Sequence, residues 1–113
     1  MGMLENLEAM LAAGQDNALL RFTLGNELLK QGDAHLAAEH LREAVRQDPE
    51  YSAAWKILGK ALQALEDFSG ACSAFEKGIE IAERKGDIQA AREMRVFLRR
   101  AQKSATGSVR NQP

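Results

Sequence analysis

The chain has 113 residues, of which 45% are hydrophobic and 27% are charged, and its formal net charge is −1. This composition excludes an intrinsically disordered chain and is sufficient for one domain with a continuous core. A single cysteine, Cys72, excludes an intramolecular disulfide and a cysteine metal site, and no apolar run approaches the roughly 20 residues that span a bilayer.

The amino-terminal segment predicts a short amphipathic helix over residues 3–13. Leu4, Leu7 and Leu11 recur at spacings of three and four residues, so they share one helix face. Gly14 then marks a turn. Because this segment carries acidic residues where a signal peptide would be basic, we expect a soluble cytoplasmic protein without a membrane partner.

The middle of the chain contains an internal repeat. Residues 18–51 align with residues 52–85 at an offset of 34 residues without a gap. Each unit carries two apolar stripes at helical spacing and therefore predicts two amphipathic helices joined by a short turn. The identical columns are Leu24 with Leu58, Gly25 with Gly59, Leu28 with Leu62, Asp33 with Asp67, and Ala37 with Ala71.

Gly25 and Gly59 lie in the middle of predicted helices, where glycine costs about 1 kcal/mol relative to alanine. The penalty indicates a close crossing between the two helices of each unit. We expect the small residues Ala37 and Ala71 to lie opposite these glycines.

The carboxyl-terminal segment predicts one more helix over residues 87–102, capped by Gly86 and Asp87. Residues 104–113 are small, polar and aperiodic, and we expect them to be a disordered tail. The apolar positions of the helix are Ile88, Ala91, Met94, Phe97, Leu98 and Ala101.

The repeated columns resemble the tetratricopeptide repeat, a family whose pattern runs from a bulky residue through Leu-Gly, a second bulky residue, Ala, an aromatic or Leu, and Ala to Pro. The first unit departs from it at Arg21, in the Trp column, and the second at Glu83, in the Pro column. The second unit matches with Trp55, Leu58, Gly59, Leu62, Ala71 and Phe75, and the first with Leu24, Gly25, Leu28, Ala37, Leu41, Ala44 and Pro49.

The resemblance implies an all-α fold, in which antiparallel helix-turn-helix repeats stack into a short right-handed superhelix of about six helices. We expect a single domain over residues 1–103. Two units are fewer than the usual minimum of about three, so the flanking helices or a second copy must complete the core.

The resemblance also implies a concave face on which a peptide or protein partner binds, lined by the first helix of each unit. An extended or helical segment with apolar and acidic side chains would suit this face. The residues placed there by register are Leu19, Phe22, Asn26, Leu29 and Lys30 from the first unit, and Ala53, Lys56, Lys60, Gln63 and Ala64 from the second.

Two other interpretations of this face stay open. The apolar members Leu19, Phe22 and Leu29 can be covered by the amino-terminal helix. Lys56 and Lys60 can belong to an ordinary solvated helix face.

Some members of the family bind acidic chaperone tails through a clamp of Lys and Asn side chains. Of its positions, Asn26 matches, whereas Phe22 and Ile57 replace a Lys and an Asn, and Asp87 and Ala91 replace the last basic pair. One match in five positions argues against that ligand.

Charge is unevenly distributed along the chain. Residues 1–83 hold seven basic and fourteen acidic side chains, a balance of −7, and residues 84–113 hold eight basic and two acidic ones, a balance of +6. Arg92, Arg95 and Arg99 share one face of the last helix. They suggest self-association through oppositely charged ends or, as a weaker alternative, nucleic-acid binding; a basic patch alone is a poor footprint for nucleic acid.

No constellation for catalysis or for a cofactor stands out. His35 and His40 are five residues apart and so lie on different helix faces, which argues against a shared metal ion. Cys72 lies inside a predicted helix, where cysteine is usually a small buried hydrophobe. We therefore expect a binding module that is not an enzyme and needs no metal or cofactor.

Overall fold

A computed structural model describes residues 2–110 and the side chains of residues 2–106. The described residues form six helices and no strand. These are α1 (Met3–Ala12), α2 (Ala18–Lys30), α3 (Ala34–Gln47), α4 (Ser52–Ala64), α5 (Phe68–Arg84) and α6 (Ile88–Arg110). The all-α fold of stacked helix pairs is thus confirmed, with α2 and α3 forming the first repeat and α4 and α5 the second.

Aspartate side chains cap the amino-terminal ends of α3, α5 and α6. The carboxylates of Asp33 and Asp67 accept hydrogen bonds from the backbone N–H groups of Leu36 at 3.1 Å and Gly70 at 3.0 Å. Asp87 accepts in the same way from the N–H of Ala90 at 3.1 Å. Each bond satisfies a donor that the first helical turn leaves without an intrahelical partner, so the turns have fixed positions.

The helices form two layers, and their contacts define the curvature of the array. Among the described residues, α2 contacts α4 and α4 contacts α6, whereas α3 and α5 do not contact each other. The array therefore curves toward α2, α4 and α6, which we call the inner layer, and α3 and α5 form the outer layer. The amino-terminal helix α1 packs on α2 alone and has no buried residue.

Glycine allows each inner helix to contact its outer helix at the backbone. A Cβ atom added at Gly59 would lie 2.5 Å from Cε1 of Phe75, and one at Gly25 would overlap Cγ of Leu41. The predicted close crossing is confirmed, but the expectation that Ala37 and Ala71 lie opposite the glycines is wrong. Large side chains lie directly on the glycine backbone instead.

The last helix completes the core. Ala91, Met94 and Ala101 of α6 are buried, and Met94 is among the largest fully buried side chains. Its sulfur packs at the crossing with α5, where it fills the space left by Gly78. Helix α6 is thus a structural third partner for the two repeats.

The helix is also longer than the sequence predicted. It continues to Arg110, whereas the sequence predicts a disordered tail from residue 104, and residues 111–113 lie outside the described part of the chain. Two hydroxyl groups form hydrogen bonds at the start of this stretch, one with α4 and one within α6. The hydroxyl of Ser104 accepts a hydrogen bond from Nε2 of Gln63 at 3.3 Å, and the hydroxyl of Thr106 donates to the carbonyl oxygen of Gln102 at 3.0 Å.

A polar network replaces the missing Trp of the first repeat. Arg21 donates to the Asp16 carboxylate at 2.8 and 2.9 Å, and Gln47 of α3 donates to the same carboxylate at 3.0 Å. These bonds attach the turn between α1 and α2 to the outer layer. The Arg21 side chain holds the pKa of Asp16 well below its usual value, mainly through this hydrogen bond.

His40 joins this network in its neutral form. Its Nδ1 lies 3.1 Å from Nη1 of Arg21, and because a guanidinium only donates, Nδ1 must accept. Burial and then the nearby Arg21 charge lower the pKa of His40, against the weaker opposing influence of Glu39, Glu8 and Asp16.

We expect Gly59→Ala to destabilise the protein by about 1–3 kcal/mol, because the new methyl group overlaps the buried Phe75 ring. Helix propensity alone predicts the opposite sign, a gain of about 1 kcal/mol. Urea unfolding monitored by circular dichroism measures the change, with Ser73→Ala on the exposed side of α5 as the control. A neutral or stabilising result for Gly59→Ala would contradict the crossing described above.

We expect the free energy of unfolding to decrease as the pH falls below about 6.5, the usual pKa of histidine. The folded pKa of His40 is lowered, so the unfolded chain binds more protons in this range and stability rises with pH. The carboxylates with lowered pKa values, Asp16, Glu43 and Glu50, contribute to the pH dependence only below their ordinary range near pH 4. Urea unfolding at several pH values between about 7.5 and 5.5 gives the slope of the unfolding free energy against pH. This slope should be smaller for His40→Gln and unchanged for His35→Gln, at the exposed site on the same helix.

Candidate partner-binding face

The predicted groove residues of α2 lie on the inner layer, but they differ in how much they contribute to its surface. Leu19 is 64% exposed and Lys30 is exposed, so α1 does not cover them. Phe22 is half-buried and packs against the ring of Tyr51, with ring centroids 5.0 Å apart. Asn26 and Leu29 are also half-buried, and Leu29 contacts the core.

Three of the predicted groove residues of α4, namely Lys56, Lys60 and Gln63, contact α6. The ammonium of Lys56 lies 2.9 Å from the Glu93 carboxylate. Lys60 Nζ lies over the ring of Phe97, 5.2 Å from its centroid. Since Gln63 bonds Ser104 as described above, α6 forms the third side of this face.

Sequence reasoning did not assign the α6 residues to the groove. Glu93, Phe97, Arg100 and Ser104 recur at spacings of four, three and four residues, which is one stripe of a helix. The strict repeat register does not place them on the concave face, since it puts Ala90 and Met94 at the positions that Lys56 and Lys60 hold in α4. Their true helix phase is displaced from the strict repeat, and this displacement hid the signal.

A cavity of about 270 Å³ opens between these helices, at the end of the inner layer formed by α4 and α6. The Phe75 and Phe97 rings stack within it, with centroids 5.7 Å apart. Arg100 of α6 also borders the cavity, and its Cζ lies 5.9 Å from the centroid of the Phe97 ring. The cavity is lined by Lys60, Gln63, Ala64, Phe75, Phe97 and Arg100.

The predicted basic surface is not a continuous positive patch. Arg95 pairs with Glu83 of α5, and Arg99 borders a second cavity of about 330 Å³ together with Glu76, Glu80 and Glu83. Arg92 is exposed and does not line that cavity. Acidic side chains of α5 therefore alternate with the predicted basic residues.

The residues considered for chemistry are dispersed. His35 is exposed, whereas His40 belongs to the network with Arg21. Burial raises the pKa of the half-buried Cys72 thiol, which keeps it protonated and a poor nucleophile at neutral pH. Across residues 2–106, no three His, Cys, Asp or Glu side chains come together as metal ligands. None of the described helices has an apolar stretch sufficient to cross a lipid bilayer.

Comparison with known proteins decides the family. The model of the tetratricopeptide repeat matches residues 22–87, more than half of the chain. The chain belongs to the tetratricopeptide repeat family. A repeat-containing protein of Pseudomonas aeruginosa is 57% identical to it over 104 residues, which cover 92% of this chain and 99% of that protein.

Solved structures extend the likeness to the flanking helices. The structure resembles the solution structure of a protein from Bordetella parapertussis, with a TM-score of 0.81 and 45% identity, covering 99% of this chain and 97% of that one. It also resembles the Sgt2 tetratricopeptide domain of Aspergillus fumigatus, with a TM-score of 0.82 and 29% identity over 97% of this chain and 71% of that one. A heat-shock cognate co-chaperone of the same fungus is 35% identical over 77 residues, or 23% of its own length.

Tetratricopeptide repeats are a protein-interaction fold, and this chain is an interaction module of that kind. Its departure from the chaperone-tail clamp has a structural basis in two positions. Ile57 is buried in the core, and Phe22 packs on Tyr51. Neither position presents the polar group that the clamp uses.

Proposed function

We propose that the chain binds a peptide segment of a partner protein along the inner layer formed by α2, α4 and α6. The observation that supports the proposal is the presence of both exposed apolar groups and unpaired cations on the inner-layer helices. Leu19 and the Phe97 cavity supply the apolar parts. Within residues 2–106, neither Lys30 nor Lys60 takes part in an ion pair.

The chemistry of this surface supports binding rather than a reaction. Ammonium, guanidinium and amide groups beside apolar side chains can hold an acidic and apolar segment through charge-assisted hydrogen bonds and burial. Among the described side chains, no nucleophile with a hydrogen-bonded base lies on it. The proposed role is therefore that of an adaptor, with no catalytic residue and no cofactor.

Affinity capture from a lysate of the source organism, with mass spectrometry, tests the proposal. We expect the double variant Leu19→Glu, Lys60→Glu to lose the partner that the intact chain captures, because it removes an apolar contact and reverses a charge on the inner layer. Both changed side chains are exposed, so the variant should fold, which circular dichroism checks.

Arg42→Glu on the outer-layer helix α3 is the matched control, since it reverses the charge of an exposed side chain away from the inner layer. It should retain the partner. Retention of the partner by the double variant, or loss by the control, would contradict binding at the inner layer.

Self-association is a second candidate, supported by the exposed apolar side chains of α1. Met3 and Met10 of α1 are 58% and 41% exposed, and α1 contacts no helix other than α2 among the described residues. If this end docks on a second copy, light scattering at high concentration should show a dimer that Met10→Glu converts to a monomer. A monomer in both low and high salt would remove the candidate.

A further inference from the structure

The cavity between α4, α5 and α6 has the size of a site for one side chain. Its volume of about 270 Å³ lies just below the roughly 300–1,000 Å³ of pockets that enclose drug-sized ligands. The Phe75 and Phe97 rings and the Ala64 methyl group make its interior apolar. A bulky aliphatic or aromatic side chain would remove this surface from water and stack on the rings.

Two cations border the cavity without a carboxylate. Lys60 and Arg100 both lie near the Phe97 ring, as described above, at distances typical of cation–π contacts. Neither takes part in any ion pair among the described side chains, whereas Lys56 and Arg95 of the same two helices pair with glutamates. The rim of the cavity thus carries positive charge that the protein itself does not neutralise.

Gln63 adds an unused acceptor to the wall of the cavity. Its Nε2 donates to Ser104, but its Oε1 is buried and has no hydrogen-bond partner among the described residues. A buried acceptor without a partner is uncommon in folded proteins. A ligand with N–H donors next to its apolar group, as a peptide backbone has, would satisfy it after a small rotation of the amide.

Resting on the proposed function, we infer that this cavity is the anchor site for the partner, and that it takes a bulky apolar side chain of an acidic peptide. Carboxylates on either side of the anchor residue pair with Lys60 and Arg100. The anchor site differs from the chaperone-tail clamp in position, because its cations are Lys60 and Arg100, whereas the clamp places its cations at the positions of Phe22, Asp87 and Ala91. The apolar interior fixes which residue of the peptide enters, and the cations fix the charge of its neighbours.

An oriented peptide library tests the inference with the full chain. The central residue is fixed as Leu, Phe, Ala or Lys, and the flanking positions are mixtures of Asp, Glu, Ser, Gly and Lys. We expect selection of Leu or Phe at the centre and of Asp or Glu beside it. For a single selected peptide, replacing the central residue by Ala should weaken binding by about tenfold to a hundredfold in fluorescence anisotropy.

Charge-reversal variants separate the anchor site from the rest of the face. Lys60→Glu and Arg100→Glu should each weaken binding of the selected acidic peptide by at least about tenfold. This loss of affinity should be smaller when the salt concentration rises from about 0.05 to 0.5 M. Arg42→Glu on α3 should leave binding unchanged. Because both cavity cations are exposed, these variants avoid the folding defect that Phe97→Ala risks.

A nitrogen–proton NMR titration locates the bound peptide. We expect shifts at the Gln63 side-chain amide and at backbone amides of residues 60–64 and 97–104. Shifts confined to α2 around Leu19, with no effect of Lys60→Glu or Arg100→Glu, would overturn the anchor site and leave the proposed function standing. A library without any preference would overturn the anchor site as well, and so would concentration-dependent shifts at these residues without peptide. The proposed function itself would be overturned if the double variant Leu19→Glu, Lys60→Glu retained the partner in the capture experiment.

Discussion

The architecture depends on the contact between a large outer-layer side chain and the bare backbone of an inner helix. Leu41 lies on Gly25, and Phe75 lies on Gly59, in equivalent positions of the two repeats. A methyl group at either glycine would separate the helices of that repeat. The close approach buries the core-facing side of α2 and α4 completely and leaves their opposite side available as the concave surface. The cost of glycine inside a helix is offset by this packing, since interiors are close-packed and sensitive to single methyl groups.

The third inner helix makes the short array sufficient. Two repeats alone would leave one flank of α4 and α5 in water, and solenoids need a terminal element that covers such a flank. Helix α6 does this with Ala91, Met94 and Ala101. It also brings Phe97 and Arg100 beside Lys60, so the element that completes the core adds the most distinctive part of the concave face.

Much of the fold was predictable because its determinants are local and recur. The 34-residue offset, the cap residues Asp33 and Asp67 and the phase of the apolar stripes give the helices and their pairing directly. The opposing residue at each glycine crossing was not predictable from size matching, because the crossing angle sets which residue of the outer helix reaches the glycine. The length of α6 differs from the prediction because Ser104 and Thr106 have weak helix propensity, whereas the structure continues the helix through them.

The candidate site was predictable only in part. Register treated Lys60 and Gln63 as members of a groove lined by α2 and α4, whereas in the structure both side chains contact α6. Their contacts with α6 depend on the phase of a helix that does not follow the repeat, so a pattern of repeated columns contains no information about them. The phase of α6 also brings Glu93 to Lys56, and the two side chains form an ion pair. One of the three lysines expected to leave this face positively charged is therefore neutralised.

Phe75 belongs to two environments at once, and this double role limits how the protein can diversify. One side of its ring lies against Gly59 at the helix crossing, and another borders the cavity beside Phe97. A mutation that reshapes the floor of the cavity therefore also disturbs the packing of the second repeat. Lys60 and Arg100 on the rim are not subject to this constraint, because a change of charge there leaves the helix crossing intact. The edge of the cavity can therefore vary independently of the packing of the second repeat, whereas its interior cannot.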